Sequence, residues 1–336
     1  MSARPGPPNG YRRGVITARV SRVDRSAAAV LTADGEVMTR LPRGMHLATG
    51  DFVELEAEGD GWVVSAVAPR RTAITRADAD EARGPQVLAA NVDLVFVICG
   101  LDRPLRPGRI ERSVVLAWES GAEPVLVLSK ADLVEDMAAA AAEAAASCPG
   151  VEVHLTSAFT GAGLDGLAAR LEGQRTATLL GESGAGKSTL VNALAGEEVL
   201  ATGAVRFGDA KGRHTTTARQ LIVLPGGGVL IDTPGLRQLG LWSGEEGLSA
   251  AFADVEVLAG DCRFRDCAHQ GEPGCAVAEA VADGRLPERR LASYVKLRRE
   301  LDHREGRRVE HERRADGRRG SKMIREAIKA KGKRPR

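Results

Sequence analysis

Nine residues near the middle of the chain have the types and order needed to hold a triphosphate. Gly181, Glu182, Ser183, Gly184, Ala185, Gly186, Lys187, Ser188 and Thr189 follow the spacing G-x-x-x-x-G-K-[ST]. Glycines let successive backbone N–H groups turn onto phosphate oxygens, and a helix N-terminus adds a favourable field. Lys187 can bring positive charge to the β- and γ-phosphates, which makes it a candidate catalytic residue, and the Ser188 hydroxyl suits Mg²⁺. The apolar run Thr176–Leu180 precedes the loop and a helical pattern over Thr189–Leu194 follows it. That strand–loop–helix context separates a phosphate loop from a chance glycine-rich turn. A second apolar run ends in Ile231-Asp232-Thr233-Pro234-Gly235. Asp232 there can hold the same Mg²⁺ through water, and the Gly235 N–H can reach the γ-phosphate. Between the two lies Lys211-Gly212-Arg213-His214-Thr215-Thr216-Thr217, a loop whose threonines can close on Mg²⁺. Thr216 is taken as the ligand, although spacing alone does not separate it from Thr215 and Thr217.

Ser129-Lys130-Ala131-Asp132 follows the apolar run Val125–Leu128 and has the form of a guanine-reading N-K-x-D motif with Ser129 in place of Asn. A carboxylate at Asp132 can accept from both N1–H and the 2-amino group of guanine, a donor pair adenine lacks. The Lys130 stem can cover the base face. Thr156-Ser157-Ala158 ends a further apolar run, Val151–Leu155, and Ser157 and Ala158 can meet the guanine carbonyl. A serine at 129 loses a side-chain amide, so base selection is expected to be weaker.

Cys262-x4-Cys267-x-His269-x5-Cys275 supplies three thiolates and one imidazole within 14 residues. Four such ligands suit a closed, tetrahedral, structural Zn²⁺ site. A disulfide framework is disfavoured by the odd cysteine count of five. Cys99 lies in a buried-strand run and reads as core; Cys148 is isolated.

These residues need elements to position them. Val92–Cys99 and Val125–Leu128 are continuous apolar runs, as in parallel strands buried on both faces. With Val151–Leu155, Thr176–Leu180, Leu221–Val223 and Val229–Ile231, and helical stretches between them, residues 88–245 predict an α/β domain on a largely parallel sheet. Residues 13–70 show short alternating runs: Ile16, Ala18 and Val20, then Val53, Leu55 and Ala57, then Trp62, Val64 and Ala66. About five short strands in that length fit an OB-fold β-barrel, an architecture that often binds RNA. Residues 71–87 read as a linker, 246–302 as a zinc-binding helical domain ending in a helix near Glu288–Leu301, and 1–12 and 303–336 as disordered ends.

The chain has 336 residues, 43% of them hydrophobic. No apolar run reaches the ~18–20 residues that span a bilayer, so no membrane association is expected. Nothing at the N-terminus resembles a signal peptide, which predicts a cytoplasmic protein. Net charge is only +2, yet His303–Arg336 holds 14 Lys or Arg against 5 Asp or Glu, a net of +9. A basic end on a mildly acidic body suggests a polyanionic partner. Aromatic residues are 3% of the chain, so any RNA contact should be mainly electrostatic and salt-sensitive.

The base motifs at 129 and 157 precede the phosphate motifs at 181 and 232, the reverse of the usual GTPase order. A circular permutation accounts for this, because domain termini often lie close in space. The barrel pattern, SKAD, TSAFTG, GESGAGKST, GRHTTT, IDTPG and the Cys/His spacing occur here in that order. Together they resemble the circularly permuted, small-ribosomal-subunit-dependent GTPases of the RsgA family over residues of about 13–302. The resemblance implies GTP hydrolysis to GDP and phosphate stimulated by the 30S subunit, a role in late small-subunit maturation, and contact of barrel and zinc domain with 16S rRNA. A monomer is expected. Leu236 stands where many GTPases position water with Gln, so intrinsic turnover should be slow, and His214 is a candidate substitute. Two rival readings are an RNA-binding assembly factor that uses nucleotide only as a switch, and an ATPase with relaxed base selection.

Overall fold

The structure is a computed structural model that describes residues 15–24, 26–76, 86–201, 219–233 and 245–331. The expected disordered segment 1–12, the candidate residues His214, Thr216 and Gly235, Leu236, and the end at 332–336 lie outside the described residues.

Five strands close into a barrel: β1 (Ile16–Val23), β2 (Ala27–Thr32), β3 (Gly35–Arg40), β4 (Phe52–Glu58) and β5 (Gly61–Val67), in the order β1-β2-β3-β5-β4. The period-2 pattern decides which side chains go inside. Ala18, Val20, Val53, Leu55, Trp62 and Val64 fill the barrel, while Glu54 and Glu56 face water.

The ends of the segment expected as a linker, 71–87, take part in a short antiparallel ribbon, while its residues 77–85 lie outside the described residues. The ribbon consists of β6 (Ala73–Arg76) and β7 (Gln86–Ala90). Ile74, Leu88 and Ala89 are buried in the core of the neighbouring domain, which anchors these two strands.

The central sheet has six strands: β8 (Leu94–Gly100), β9 (Glu123–Ser129), β10 (Glu152–Leu155), β11 (Thr176–Gly181), β12 (Gln220–Val223) and β13 (Val229–Asp232). Their spatial order is β10-β9-β8-β11-β13-β12, all parallel except β12 against β13. Helices α1 (Pro107–Glu119), α2 (Met137–Ser147), α3 (Leu164–Ala169) and α4 (Lys187–Ala195) connect the strands. Leu94, Phe96, Ile98, Val125 and Val127 pack on one face and Val95, Val97, Leu126 and Leu128 on the other, so both faces are buried and the strands read as unbroken apolar runs. The loop after β11 and those after β9 and β10 therefore leave the same edge of the sheet. This is the edge at which open parallel sheets bind ligands.

Four helices follow: α5 (Glu245–Ala251), α6 (Ala253–Ala259), α7 (Ala276–Ala282) and α8 (Glu288–Lys331). Phe252, Val255, Val277, Tyr294 and Leu297 belong to the same continuous core as Val114, Leu126 and Leu128. The Cys/His segment thus has no separate core and is seated on one face of the sheet. α8 differs from the expectation of a helix near 288–301 followed by a disordered tail, for it runs unbroken to Lys331. Arg, Glu, Lys and Ala are strong helix formers, and Arg304 lies 3.5 Å from Glu300 in an i,i+4 pair. High charge alone does not distinguish a solvated helix from coil.

Among the described residues, a seam of hydrogen bonds fixes the barrel to the sheet. Arg19 Nη2 donates to Thr176 Oγ1 (2.7 Å) and to the Asn91 carbonyl (3.2 Å), and Asn91 Nδ2 donates to the Gly50 carbonyl (3.1 Å). A Cβ on Gly50 (φ +94°) would stand 2.2 Å from the Ala90 carbonyl oxygen, so the seam requires glycine there.

Candidate functional site

β11 delivers the phosphate loop and its parallel neighbour β8 shapes the start of it. A Cβ on Gly181 would lie 2.5 Å from the Ile98 carbonyl oxygen, and Gly184 and Gly186 take φ of +77° and +84°. Side chains at these positions would push the loop off the sheet or strain it. Lys187 opens α4 and curls back across the loop, its Nζ donating to the carbonyls of Gly181 (2.8 Å) and Glu182 (2.7 Å). Those carbonyls hold the ammonium over the loop, where phosphate oxygens can replace them. Ser188 and Thr189 form the first turn of α4. Asp232 ends β13, beside β11; burial pushes its carboxyl up and the Lys187 charge opposes this.

The Ser129–Asp132 motif, which precedes the phosphate loop in sequence, is drawn onto it. The Ser129 hydroxyl donates to the carbonyl of Ala185 at 2.6 Å. Lys130 adopts left-handed φ (60°), and its Cε would lie 3.9 Å from a Cβ on Gly186. Its ammonium donates to Asp102 Oδ2 at 2.8 Å. Asp102, hydrogen-bonded by Arg103 and then by Lys130, has a carboxyl held well below the usual carboxylate range. Sequence reasoning missed Asp102; the available signal was its place just past the C-terminal end of a central parallel strand.

Asp132 sits in a single 3-10 turn, Ala131–Leu133, and accepts from the Ser157 hydroxyl at 2.5 Å. The Ala131 N–H donates to the Thr156 carbonyl (3.0 Å), and Ser157 Oγ also accepts from the Thr160 N–H (3.1 Å). Gly163 (φ +72°) closes this loop so tightly that a Cβ would stand 2.0 Å from the Leu155 carbonyl oxygen. The half-buried Ala158 follows Ser157 in the same loop. The Asp132 carboxylate is therefore oriented by a hydroxyl from the neighbouring strand's loop, an arrangement able to present oxygens to a paired N–H donor.

The Cys/His cluster is preassembled. The ligand atoms of Cys262, Cys267, His269 and Cys275 all lie within 4.8 Å of one another. His269 Nδ1 stands 3.6 Å from Cys262 Sγ and 3.5 Å from Cys275 Sγ, and those sulfurs are 4.0 Å apart. With Zn–S near 2.3 Å, a tetrahedral S···S edge is about 3.8 Å, so the donor set fits zinc. Cys275 caps the N-terminus of α7, its Sγ accepting from the Ala278 N–H (3.4 Å). Glu272 accepts from the N–H groups of Ala268 (3.0 Å) and Gln270 (2.7 Å) and so folds the loop that carries His269. Cys99 and Cys148 stand apart from this cluster, their thiols pushed up to about 12 by burial.

A phosphate loop on a central strand, with base-reading loops that precede it in sequence yet abut it in space, defines a circularly permuted P-loop GTPase. A family model described as RsgA GTPase matches residues 67–242. The chain is 51% identical over 296 residues to the "Small ribosomal subunit biogenesis GTPase RsgA" of Streptomyces avermitilis, covering 85% of this chain and 80% of that protein. It is 43% identical to the protein of the same description from Syntrophotalea carbinolica, covering 87% and 85%. Among solved structures, YjeQ from Thermotoga maritima superposes with a TM-score of 0.65 at 27% identity, over 86% of this chain and 99% of that one. YloQ, described as a circularly permuted GTPase, matches in fold with a TM-score of 0.64 at 24% identity over 89% and 99%. The chain belongs to the RsgA GTPase family. Membership makes it a GTP hydrolase that works with Mg²⁺, and its Cys3His cluster fits zinc.

Proposed function

We propose that this protein is a GTPase of small ribosomal subunit biogenesis, stimulated by the 30S subunit, which it engages through 16S rRNA. The observation that carries the reading is the contact of the Ser129 hydroxyl with Ala185, which joins base loop and phosphate loop into one nucleotide site in a chain of this family. The relatives' description as small-subunit biogenesis GTPases supports the partner.

In this reading Asp132, oriented by Ser157, accepts the guanine N1–H and 2-amino protons, the Lys130 stem covers the base, and Ser129 and Ala131 hold the loop. The backbone from Gly181 through Thr189 faces the phosphates. Lys187 exchanges the Gly181 and Glu182 carbonyls for β- and γ-phosphate oxygens and stabilises charge as water attacks in line. Ser188 and Thr216 would hold Mg²⁺, with Asp232 acting through water; the ion, when bound, neutralises charge on the β- and γ-oxygens. The Gly235 N–H reaches the γ-phosphate and His214 positions the water. The zinc segment and the barrel over 13–70 form the RNA-facing parts, and α8 carries basic charge. The protein acts as a cytoplasmic monomer; among the described residues no helix is long and apolar enough to cross a membrane.

The test is steady-state hydrolysis of GTP, with ATP as control, with and without purified 30S subunits. GTP-selective turnover raised at least tenfold by 30S is the expected result. Equal use of ATP, or no response to 30S, would overturn the reading. Under 30S stimulation His214→Ala should slow turnover; an unchanged rate would remove His214 from the mechanism.

A further inference from the structure

A second basic feature lies on the far side of the phosphate loop. A cavity of about 510 Å³ opens between the loop, the end of β8 and α1. Val97, Leu105, Ile110 and Leu180 form its apolar floor, and Arg103, Arg106 and Arg109 stand at its rim. All three arginines converge on one carboxylate, that of Glu182, which is itself a phosphate-loop residue. Arg109 hydrogen-bonds Glu182, while Arg103 Nη1 and Arg106 Nη1 each stand 3.7 Å from its oxygens. A separation of 3.7 Å is an ion-pair distance, beyond hydrogen-bond reach. Arg103 spends its other donors on Asp102 and lies 3.3 Å from a Cβ built on Gly184. With Lys130 on Asp102, four cations surround two carboxylates. The side chains of Arg106 and Arg109 are 61% and 62% exposed. Exposed ion pairs contribute little to stability, so fold stability does not account for gathering three guanidinium groups at one carboxylate. An anion arriving from solvent would find planar, bidentate donors only partly occupied.

We infer that Arg103, Arg106 and Arg109 form a docking surface for RNA backbone phosphates that is coupled to the phosphate loop through Glu182. The coupling follows from connectivity. The Glu182 side chain holds the arginines, and its main-chain carbonyl holds Lys187 Nζ at 2.7 Å. A phosphate that takes over Arg106 and Arg109 frees the Glu182 side chain and shifts the main-chain carbonyl that holds Lys187 over the loop. Glu182 is a positioning residue in this scheme, and RNA docking acts on turnover more than on nucleotide affinity. The inference rests on the 30S-dependent reading above.

The experiment compares wild type, R106Q/R109Q and the charge-keeping R106K/R109K. Binding to purified 30S subunits is measured as a function of salt, alongside kcat and KM for GTP with and without 30S. Two lost phosphate contacts should lower the slope of log Kd against log salt by roughly 1.4 to 1.8 in R106Q/R109Q. The stimulation of kcat by 30S should fall at least tenfold, with KM for GTP within twofold of wild type and 30S-free turnover raised rather than lowered, because the Glu182 side chain is already released. R106K/R109K should keep most of the slope. An unchanged slope with full stimulation in R106Q/R109Q overturns the inference. A parallel arm with inorganic tripolyphosphate separates sources: loss of tripolyphosphate binding with an intact 30S slope assigns the surface to small anions and also overturns it. Wild type that does not respond to 30S is a different outcome, one that removes the functional reading itself and RNA as the partner with it.

Discussion

Arg290 joins the helix behind the zinc segment to several other elements at once. It lies in α8 with 1% of its side chain exposed. Its Nε and Nη2 bind the two oxygens of Asp254 at 3.0 and 2.7 Å. Nη2 also donates to the Ala251 carbonyl (2.7 Å), and Nη1 to the Ser147 carbonyl (3.0 Å) and to Glu111 Oε1 (3.2 Å). The guanidinium stacks 4.0 Å above the centroid of Phe252. One residue thus ties α8 to α1, to the end of α2 and to the α5–α6 junction. Burial opposes its charge, but Asp254 and Glu111 outweigh this and raise its pKa.

Replacing Arg290 with Met keeps length and removes charge. Glu111, whose side chain is fully buried, would keep only Arg289 at 3.8 Å, and its Oε2 already has no partner. Breaking a buried pair from one side costs about 3–5 kcal/mol, and two orphaned carbonyls add to that. A loss of about 4 kcal/mol corresponds to a Tm drop of roughly 10 °C. Thermal melts of R290M should show that drop, and hydrogen exchange should place the added opening at α7 and the start of α8. In E111M/R290M the uncompensated carboxylate is gone, and at least half of the loss should return. A drop under 2 °C in R290M, or a double mutant worse than the sum of its singles, would refute the argument that the buried pair carries the seating.

Three further predictions follow from the site. S129A leaves the buried Ala185 carbonyl without its donor, and at about 1 kcal/mol GTP binding should weaken roughly fivefold in an equilibrium titration. Asp232 has a raised carboxyl in the fold, so its charge costs stability above the unfolded value of about 3.9, and that cost is relieved as pH falls through the folded value. D232N should therefore melt higher than wild type at neutral pH, with the gap closing toward pH 4, while Mg²⁺-dependent GTP turnover falls on the order of 10- to 100-fold. Elemental analysis should find one zinc per chain, and C267S should lose it and unfold earlier in thermal melts, because the four donors otherwise hold the loop between α6 and α7 together.

The legibility of this molecule in its sequence followed the range of the interactions involved. The phosphate loop, the Cys/His spacing and the buried strands could be read because each is local: glycines at fixed offsets, ligands within one loop, apolar runs of strand length. The barrel's inward set at Ala18, Val20, Val53, Leu55 and Val64 followed from period 2. What could not be read depends on pairing across long separations. Arg290 meets Ser147 and Glu111, 143 and 179 positions away, and as a sequence feature it is one more arginine in a basic helix. Arg19 meets Thr176 across 157 positions. The β6–β7 ribbon was hidden because its few apolar residues are ordered by a core they do not themselves make. The length of α8 was hidden because coil and solvated helix share a composition.

Ser129 shows why the identity of a motif residue and its role should be separated. Read as a letter, serine in place of asparagine weakens the guanine motif by one amide. In the fold that position is buried, and its hydroxyl bridges two loops, donating to Ala185 at 2.6 Å with Cys99 O at 3.3 Å as a second acceptor. Its work is to hold the base loop against the phosphate loop, and a hydroxyl has the one donor this requires. In the proposed reading the guanine is recognised by Asp132, whose carboxylate accepts from the Ser157 hydroxyl of the next strand's loop at 2.5 Å. Discrimination between guanine and adenine should therefore survive changes at 129 and collapse at 132. S129A should weaken GTP and GDP equally while the preference over ATP persists, and D132N should lose that preference, because an amide cannot accept from both guanine donors. Competition titrations of GTP against ATP decide it: if S129A abolishes selection and D132N spares it, the division of labour between the two residues is wrong.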